Sequence, residues 1–304
     1  MASRPIHIMI VGTHPADVID QAGGTLAHHI EQGDQVTAVI VTTGARSHHW
    51  KLIDQKRKQQ EALDVEPLIE KVSREKLEES WRACAVLGIT DVRGLGFSDD
   101  DILVTRDLVE AIADMIREVR PDVLILHHPY EMGGLKMHAT VGQATIYAWQ
   151  QAMGAGRGNK RTHHVPSLYI MNPTAYHGHN TLEYASTSHP TLYVDITDVI
   201  EKKVKAYDEI ATQYYDGAYA RKAVEIGDGA NGNKGYVAYA EVFQALFPSV
   251  RYTLPVTDAE LRRAEETGPA GMIRRSEIVS ALMPLPGGGT YSSEFRMTKA
   301  MYDD

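Results

Sequence analysis

Short apolar runs bounded by turn residues alternate with longer stretches of helical periodicity through the first half of the chain. Ile6–Val11 is rich in branched apolar residues and ends at Gly12-Thr13-His14-Pro15, which predicts a buried strand, a loop and a helix beginning near Asp17. Gly23-Gly24 falls inside that helix, where glycine is unfavourable, and so points to close approach of the helix backbone to the sheet or a ligand. Gln35–Thr43 predicts a second strand closed by Gly44. From Trp50 to Leu87 the pattern is charged and helical, interrupted at Pro67 and stopped at Gly88. Asp91–Leu95 reads as a weak third strand, Leu108–Val119 as an amphipathic helix, and Asp122–Leu126 as a fourth strand running into His127-His128-Pro129. Strands and helices recurring at crossover spacing predict an α/β fold with a doubly wound, mostly parallel sheet.

The second half is less regular. It predicts a helix over Ala139–Ala152, a Gly-rich linker at Gly154–Asn159, strands at Ser167–Met171 and Thr191–Val194, and a charged helix from Thr197 to about Tyr214. Gly227–Asn233 reads as a polar, flexible loop, and the tail beyond Pro284, with Gly287-Gly288-Gly289, as an arm over another subunit or a disordered end. The expected division is a catalytic domain over residues 1–250 and a C-terminal extension over 251–304.

Composition narrows the class. A length of 304 residues fits about two domains, or one large α/β domain with appendages. At 43% hydrophobic and 23% charged residues the chain is neither disordered, collagen-like nor a disulfide scaffold. The net charge of −9, with basic residues scattered among acids, argues against nucleic acid as a partner. Ile6–Val11 is too short for a secretion signal or a membrane span, so the expectation is a cytoplasmic protein without a membrane partner. Cys84, the single cysteine, lies on the buried stripe of a helix and reads as core packing. The unusual item is a set of 14 histidines, many in pairs or beside turn residues.

Ligands in open α/β sheets bind outside the carboxyl ends of the strands. Three strands end there in candidate chemistry: the first in His14-Pro15-Ala16-Asp17, the second in Gly44-Ala45-Arg46-Ser47-His48-His49, the fourth in His127-His128-Pro129, with His138 further on. His14 and Asp17, three apart across a proline, can turn an imidazole and a carboxylate to one point, and a third ligand would complete an open catalytic metal site. The alternative at this stage is that Asp17 caps its helix and His14 is a loop histidine.

Thr13-His14-Pro15-Ala16-Asp17, followed by Ala22-Gly23-Gly24-Thr25-Leu26-Ala27, resembles the first motif of the LmbE/PIG-L superfamily of zinc-dependent de-N-acetylases. The resemblance continues through Arg82, Val86-Leu87-Gly88, Arg120-Pro121-Asp122-Val123, His138-Ala139-Thr140 and Val194–Asp198, covering roughly residues 5–245. It implies a Rossmann-like fold and Zn2+, or another divalent metal, on His14, Asp17 and His138. The deacetylases' general base falls on Ala16 and their second catalytic group on Leu135, neither of which can carry a proton. In this pattern the chain is similar to the superfamily's 4-oxalomesaconate hydratase branch, which uses a glutamate from the loop after the second strand. Here that loop keeps Gly44 and Arg46 but has Ala45 and His48 in place of the carboxylates.

The resulting expectation is a zinc-dependent hydratase or lyase acting on a small unsaturated oxo-carboxylic acid, and a homo-oligomer. Catalysis is expected from His48 or His49, and substrate binding from Arg46, which can grip a carboxylate with two hydrogen bonds, and from His127 and His128. The alternative is a zinc-dependent N-deacetylase or amide hydrolase with a non-standard base. Asp99-Asp100-Asp101 reads as a solvated turn, and Tyr236, Tyr239 and Glu241 as residues that close over the pocket. His163, His164, His177 and His179 read as loop histidines.

Overall fold

The computed structural model describes residues 4–100, 102–130, 136–156, 159–173 and 189–278. Leu135, Asp101, His177, His179, part of the Gly154–Asn159 linker and the tail beyond Pro284 lie outside the described residues.

Strand β1 (His7–Gly12) sits in the interior of a seven-stranded sheet because its side chains are apolar on both faces. Ile8 and Ile10 pack on one face, into a core with α1 (Asp17–Glu31), α3 (Glu66–Val86), α6 (Ile200–Asp208) and α7 (Ala218–Ile226). Met9 and Val11 pack on the other, with α4 (Arg106–Val119) and α5 (Lys136–Met153). Parallel to β1 run β2 (Gln35–Thr42) on one side and β4 (Val123–Leu126) on the other. Strand β3 (Asp91–Phe97) extends the sheet beyond β2, and β5 (Ser167–Met171) beyond β4. The remaining strands, β6 (Leu192–Asp195) and β7 (Ala240–Ala245), are antiparallel additions, giving the order β3-β2-β1-β4-β5-β7-β6. The winding direction reverses between β1 and β4, which places the sheet's natural crevice at their carboxyl ends.

Helix α1 runs close to the returning chain, and Gly24 permits this: a Cβ there would lie 2.7 Å from Ile196 side-chain carbons. Pro67 opens α3 rather than interrupting a helix. The break lies between α2 (Trp50–Gln59) and α3, where proline in the first turn loses no hydrogen bond.

Two expectations need correcting. The stretch from Thr197 to Tyr214 is a 3-10 turn, then α6, then a second 3-10 turn, because Asp208 accepts from Gly217 N at 2.9 Å and from Arg221 at 2.6 Å, folding the chain back. Gly227–Asn233 is not a flexible loop but most of α8 (Asp228–Gly235). Tertiary contact overrides its poor helix propensity there: Asp228 is buried against Lys203, and Gly232 lies so close to Ala238 that a Cβ would meet its carbonyl oxygen at 2.3 Å. Beyond β7, α9 (Asp258–Glu265) and α10 (Gly268–Arg274) bury no residue. Among the described residues no helix is long and apolar enough to cross a membrane.

Candidate metal centre and its histidine loop

The chain leaves β1 at Gly12, turns through Thr13-His14-Pro15-Ala16, and enters α1 at Asp17. The turn is pinned by the Asp17 carboxylate, which accepts from His14 N at 2.7 Å. His138 comes from the first turn of α5 and meets Asp17 from the β4 side, its Nε2 3.5 Å from Asp17 Oδ1. One ligand atom each of His14, Asp17 and His138 lies within 4.8 Å of the others, and all three residues are buried.

The donor set suits a cation. Both ring nitrogens of His14 are buried without a hydrogen-bond partner among the described residues, an arrangement that is costly unless something else binds there. Burial drives the His14 imidazole well below its ordinary pKa, keeping it in the neutral, ligating form. Burial alone would raise the Asp17 carboxyl, but the charges and hydrogen bonds of His138 and His127 outweigh it and hold the group well below the usual range. Two imidazoles and a carboxylate match the donors of an open zinc site.

His127, at the end of β4, stacks on His138 with ring centroids 4.2 Å apart. Its Nε2 lies 3.1 Å from Asp17 Oδ2 and 3.1 Å from Thr13 N. It thus braces two of the three candidate ligands. His128 turns the other way: Tyr130 N donates to its Nδ1 at 3.1 Å.

The loop after β2 separates its two histidines. Gly44, at φ +66°, turns the chain tightly, and His48 N donates to Gly44 O at 2.8 Å, bringing the His48 ring to 4.1 Å from that of His14. Burial pushes the His48 imidazole down to about 4. His49 instead caps α2, its Nδ1 accepting from Leu52 N at 3.1 Å, with Glu75 3.8 Å from Nε2. Arg46 is bonded through both terminal nitrogens to Glu66 at 2.9 and 2.8 Å, and Asp100 lies 3.4 Å away.

Asp99 corrects the reading of a solvated turn: it is buried and accepts from Arg46 N at 3.2 Å, Ser47 N at 2.7 Å and the Ser47 hydroxyl. Its signal in the sequence was position, two residues past the end of a strand beside the site. Lys76 and Glu79, buried on α3 under the same loop, were hidden in a helix that looks charged all round. Tyr236, Tyr239 and Glu241 bond elsewhere rather than closing over the site: Tyr236 is exposed beneath Arg275, Tyr239 donates to Glu225, and Glu241 accepts from Gly24 N and Thr25 N in mid-α1. Cys84 is core, its thiol pushed up to about 12 by burial.

A doubly wound sheet with a His-Asp-His cluster at its switch point defines a class: α/β enzymes with a candidate metal site at the carboxyl edge. The family model described as GlcNAc-PI de-N-acetylase, PIG-L, matches residues 9–149. The 4-oxalmesaconate hydratase of Pseudomonas putida is 31% identical over 256 residues, 81% of this chain and 91% of that one. The diacetylchitobiose deacetylase of Thermococcus kodakarensis is 25% identical over 208 residues, 68% of this chain and 70% of that one. Among solved structures, the 4-carboxy-2-hydroxymuconate hydratase of Pseudomonas putida superposes with a TM-score of 0.64 at 25% identity, covering 82% of this chain and all (100%) of that one. The N,N'-diacetylchitobiose deacetylase of Pyrococcus horikoshii has the same fold, with a TM-score of 0.62 at 18% identity over 79% of this chain and 83% of that one. The chain belongs to the PIG-L family and is an enzyme of that family.

Proposed function

We propose that the protein is a zinc-dependent hydratase adding water across the double bond of a small unsaturated oxo-carboxylic acid. The observation that carries this reading is the pairing of an intact His14-Asp17-His138 cluster with a buried, apolar Ala16 where the deacetylases have their base. The similarity to 4-oxalmesaconate hydratase over most of both chains supports it.

Zinc held by His14, Asp17 and His138 would polarise a carbonyl oxygen and stabilise negative charge there. His48 lies against His14 with its imidazole neutral near pH 7, and so takes the proton from the attacking water and returns it to the substrate carbon. The hydroxyl goes to one carbon of the double bond and the proton to the other. Arg46 takes a substrate carboxylate in place of Glu66, while His127 keeps Asp17 and His138 in place. His128 borders the same strand end, and His49 fixes the loop by capping α2.

A second reading, amide hydrolysis by the same cluster, is favoured by the similarity to diacetylchitobiose deacetylase. One experiment separates the two: turnover by zinc-loaded protein, beside His14→Ala, His48→Ala and Ala16→Asp, on unsaturated oxo-acids and on N-acetylated sugars. The hydratase reading expects loss of the oxo-acid chromophore without acetate release, abolished by His14→Ala and lowered about 10²- to 10⁴-fold by His48→Ala. Acetate release by the wild type, strengthened by Ala16→Asp, would hand the protein to the deacetylases.

A further inference from the structure

His48 is held by a chain of hydrogen bonds whose direction is fixed by chemistry. At its far end Asp99, buried, accepts from two consecutive backbone N–H groups, Arg46 N at 3.2 Å and Ser47 N at 2.7 Å. The Ser47 hydroxyl donates to Asp99 Oδ2, and Ser47 Oγ lies 2.5 Å from His48 Nδ1. A carboxylate only accepts, and a hydroxyl has one hydrogen. With that hydrogen on Asp99, Ser47 Oγ has only lone pairs to offer the ring. Nδ1 of His48 must therefore be an N–H donor, and the ring's remaining lone pair sits on Nε2, which has no hydrogen-bond partner among the described residues.

The other supports leave this choice untouched. Lys76 Nζ reaches the His48 carbonyl at 3.4 Å, and Gly44 O accepts from His48 N, so both hold the backbone and neither touches the ring. The ring contact with His14 is tilted, with centroids 4.1 Å apart and an interplanar angle of 40°, and carries no hydrogen bond. Among the described residues, Ser47 is the hydrogen-bond partner of the ring, and Asp99 sets which way its hydroxyl points.

We propose, resting on the hydratase reading above, that Ser47 and Asp99 are positioning residues that hold His48 as its Nδ1–H tautomer and so present Nε2 as the atom that exchanges a proton with substrate. The arrangement does for this loop what a carboxylate does directly for the histidine of a hydrolase triad, with a serine hydroxyl interposed between carboxylate and ring. During turnover Nε2 takes a proton from water and then releases it to carbon, while Nδ1 keeps its hydrogen on Ser47 throughout, so no net transfer along the chain is required.

The test uses full-length, zinc-loaded protein carrying 15N-histidine, with His48 assigned by its loss in His48→Gln. Long-range 15N–1H correlation reads the tautomer without any substrate. Wild type and Ser47→Thr, which keeps the hydroxyl, are expected to show the Nδ1–H form, and Ser47→Ala to show a shift toward Nε2–H. On the oxo-acid, Ser47→Ala should lose at least about tenfold in kcat with KM within about twofold, and Ser47→Thr should recover most of it. Asp99→Asn is the less informative variant, because it also loosens the loop that Asp99 anchors. An Nε2–H tautomer in the wild type, or an unchanged tautomer in Ser47→Ala, overturns the proposal. If the wild type shows the Nδ1–H form but does not hydrate the oxo-acid, the hydratase reading fails and the tautomer assignment stands.

Discussion

Lys76 is buried, and its hydrogen-bond partners are neutral oxygens: Gln213 Oε1 at 3.2 Å, and the His48 carbonyl and Thr212 Oγ1 at 3.4 Å. Burial lowers its pKa from 10.5 to about 8, the surrounding carboxylates, Glu79 first, resisting the shift. Between pH 8 and 10.5 the unfolded chain still holds a proton that the folded chain has released, so this group makes stability rise with pH across that window, by at most about 3 kcal/mol. Urea unfolding of wild type and Lys76→Met across the window should show the wild type gaining on the variant; parallel curves would place Lys76 in a solvated setting. Arg46 has a competing partner of its own. Its guanidinium is already gripped by the largely exposed Glu66, so a substrate carboxylate has to compete with that residue. Glu66→Gln should lower KM for the oxo-acid a few-fold with little change in kcat. An unchanged KM would take Arg46 out of the binding site.

Helix α1 shows what one element requires of the rest. Midway along it, the Glu241 carboxylate accepts from Gly24 N at 2.9 Å and Thr25 N at 2.8 Å, while Lys203 Nζ donates to Asp20 O at 2.8 Å. Lys203 also meets Asp228 at 2.9 Å and Glu241 at 2.8 Å, fully buried. Removing one partner from a buried ionic cluster leaves the others uncompensated, so Lys203→Met should cost about 3–5 kcal/mol in unfolding free energy by denaturant titration. A cost within that of an ordinary surface substitution would show that water solvates the cluster. This network also marks the limit of what the residues alone disclose. Strands β1, β2 and β4 and the helices between them were legible because each strand is a continuous apolar run closed by a turn residue. Helix α8 was not, since Gly227 to Asn233 is held helical by Lys203 and Ala238, which local periodicity cannot register. Among site residues, His14 and Asp17 stood out by spacing, and the structure brings His138 and His48 to them. Asp99 reads in sequence as a solvated turn because a buried carboxylate fed by backbone N–H groups looks there like any acidic turn.

The segment after β7 is tied to α8 and its flank through Arg263, Arg274 and Arg275 but leaves apolar side chains exposed. Val250, Leu254 and Tyr252 are more than nine-tenths exposed, and Val256 and Ile273 are largely so. We propose that these apolar side chains are buried against another copy of the chain. Light scattering should give the full-length protein a multiple of the monomer mass, and a chain ending at residue 249 a lower one. A full-length chain running as a monomer removes this segment from consideration as a contact.

The cluster of Lys203, Glu241 and Asp228 has a further consequence for how this architecture can be recombined. Residues 9–149, the stretch that the family model matches, include α1 and its ligand Asp17 but none of the groups that satisfy α1 at its middle. Those groups arrive some 180 to 217 positions later in the chain. A chimaera that transplants only the shared stretch would therefore carry the candidate ligands on an unsupported helix, and the smallest exchangeable module has to include Ile196 through Glu241 as well.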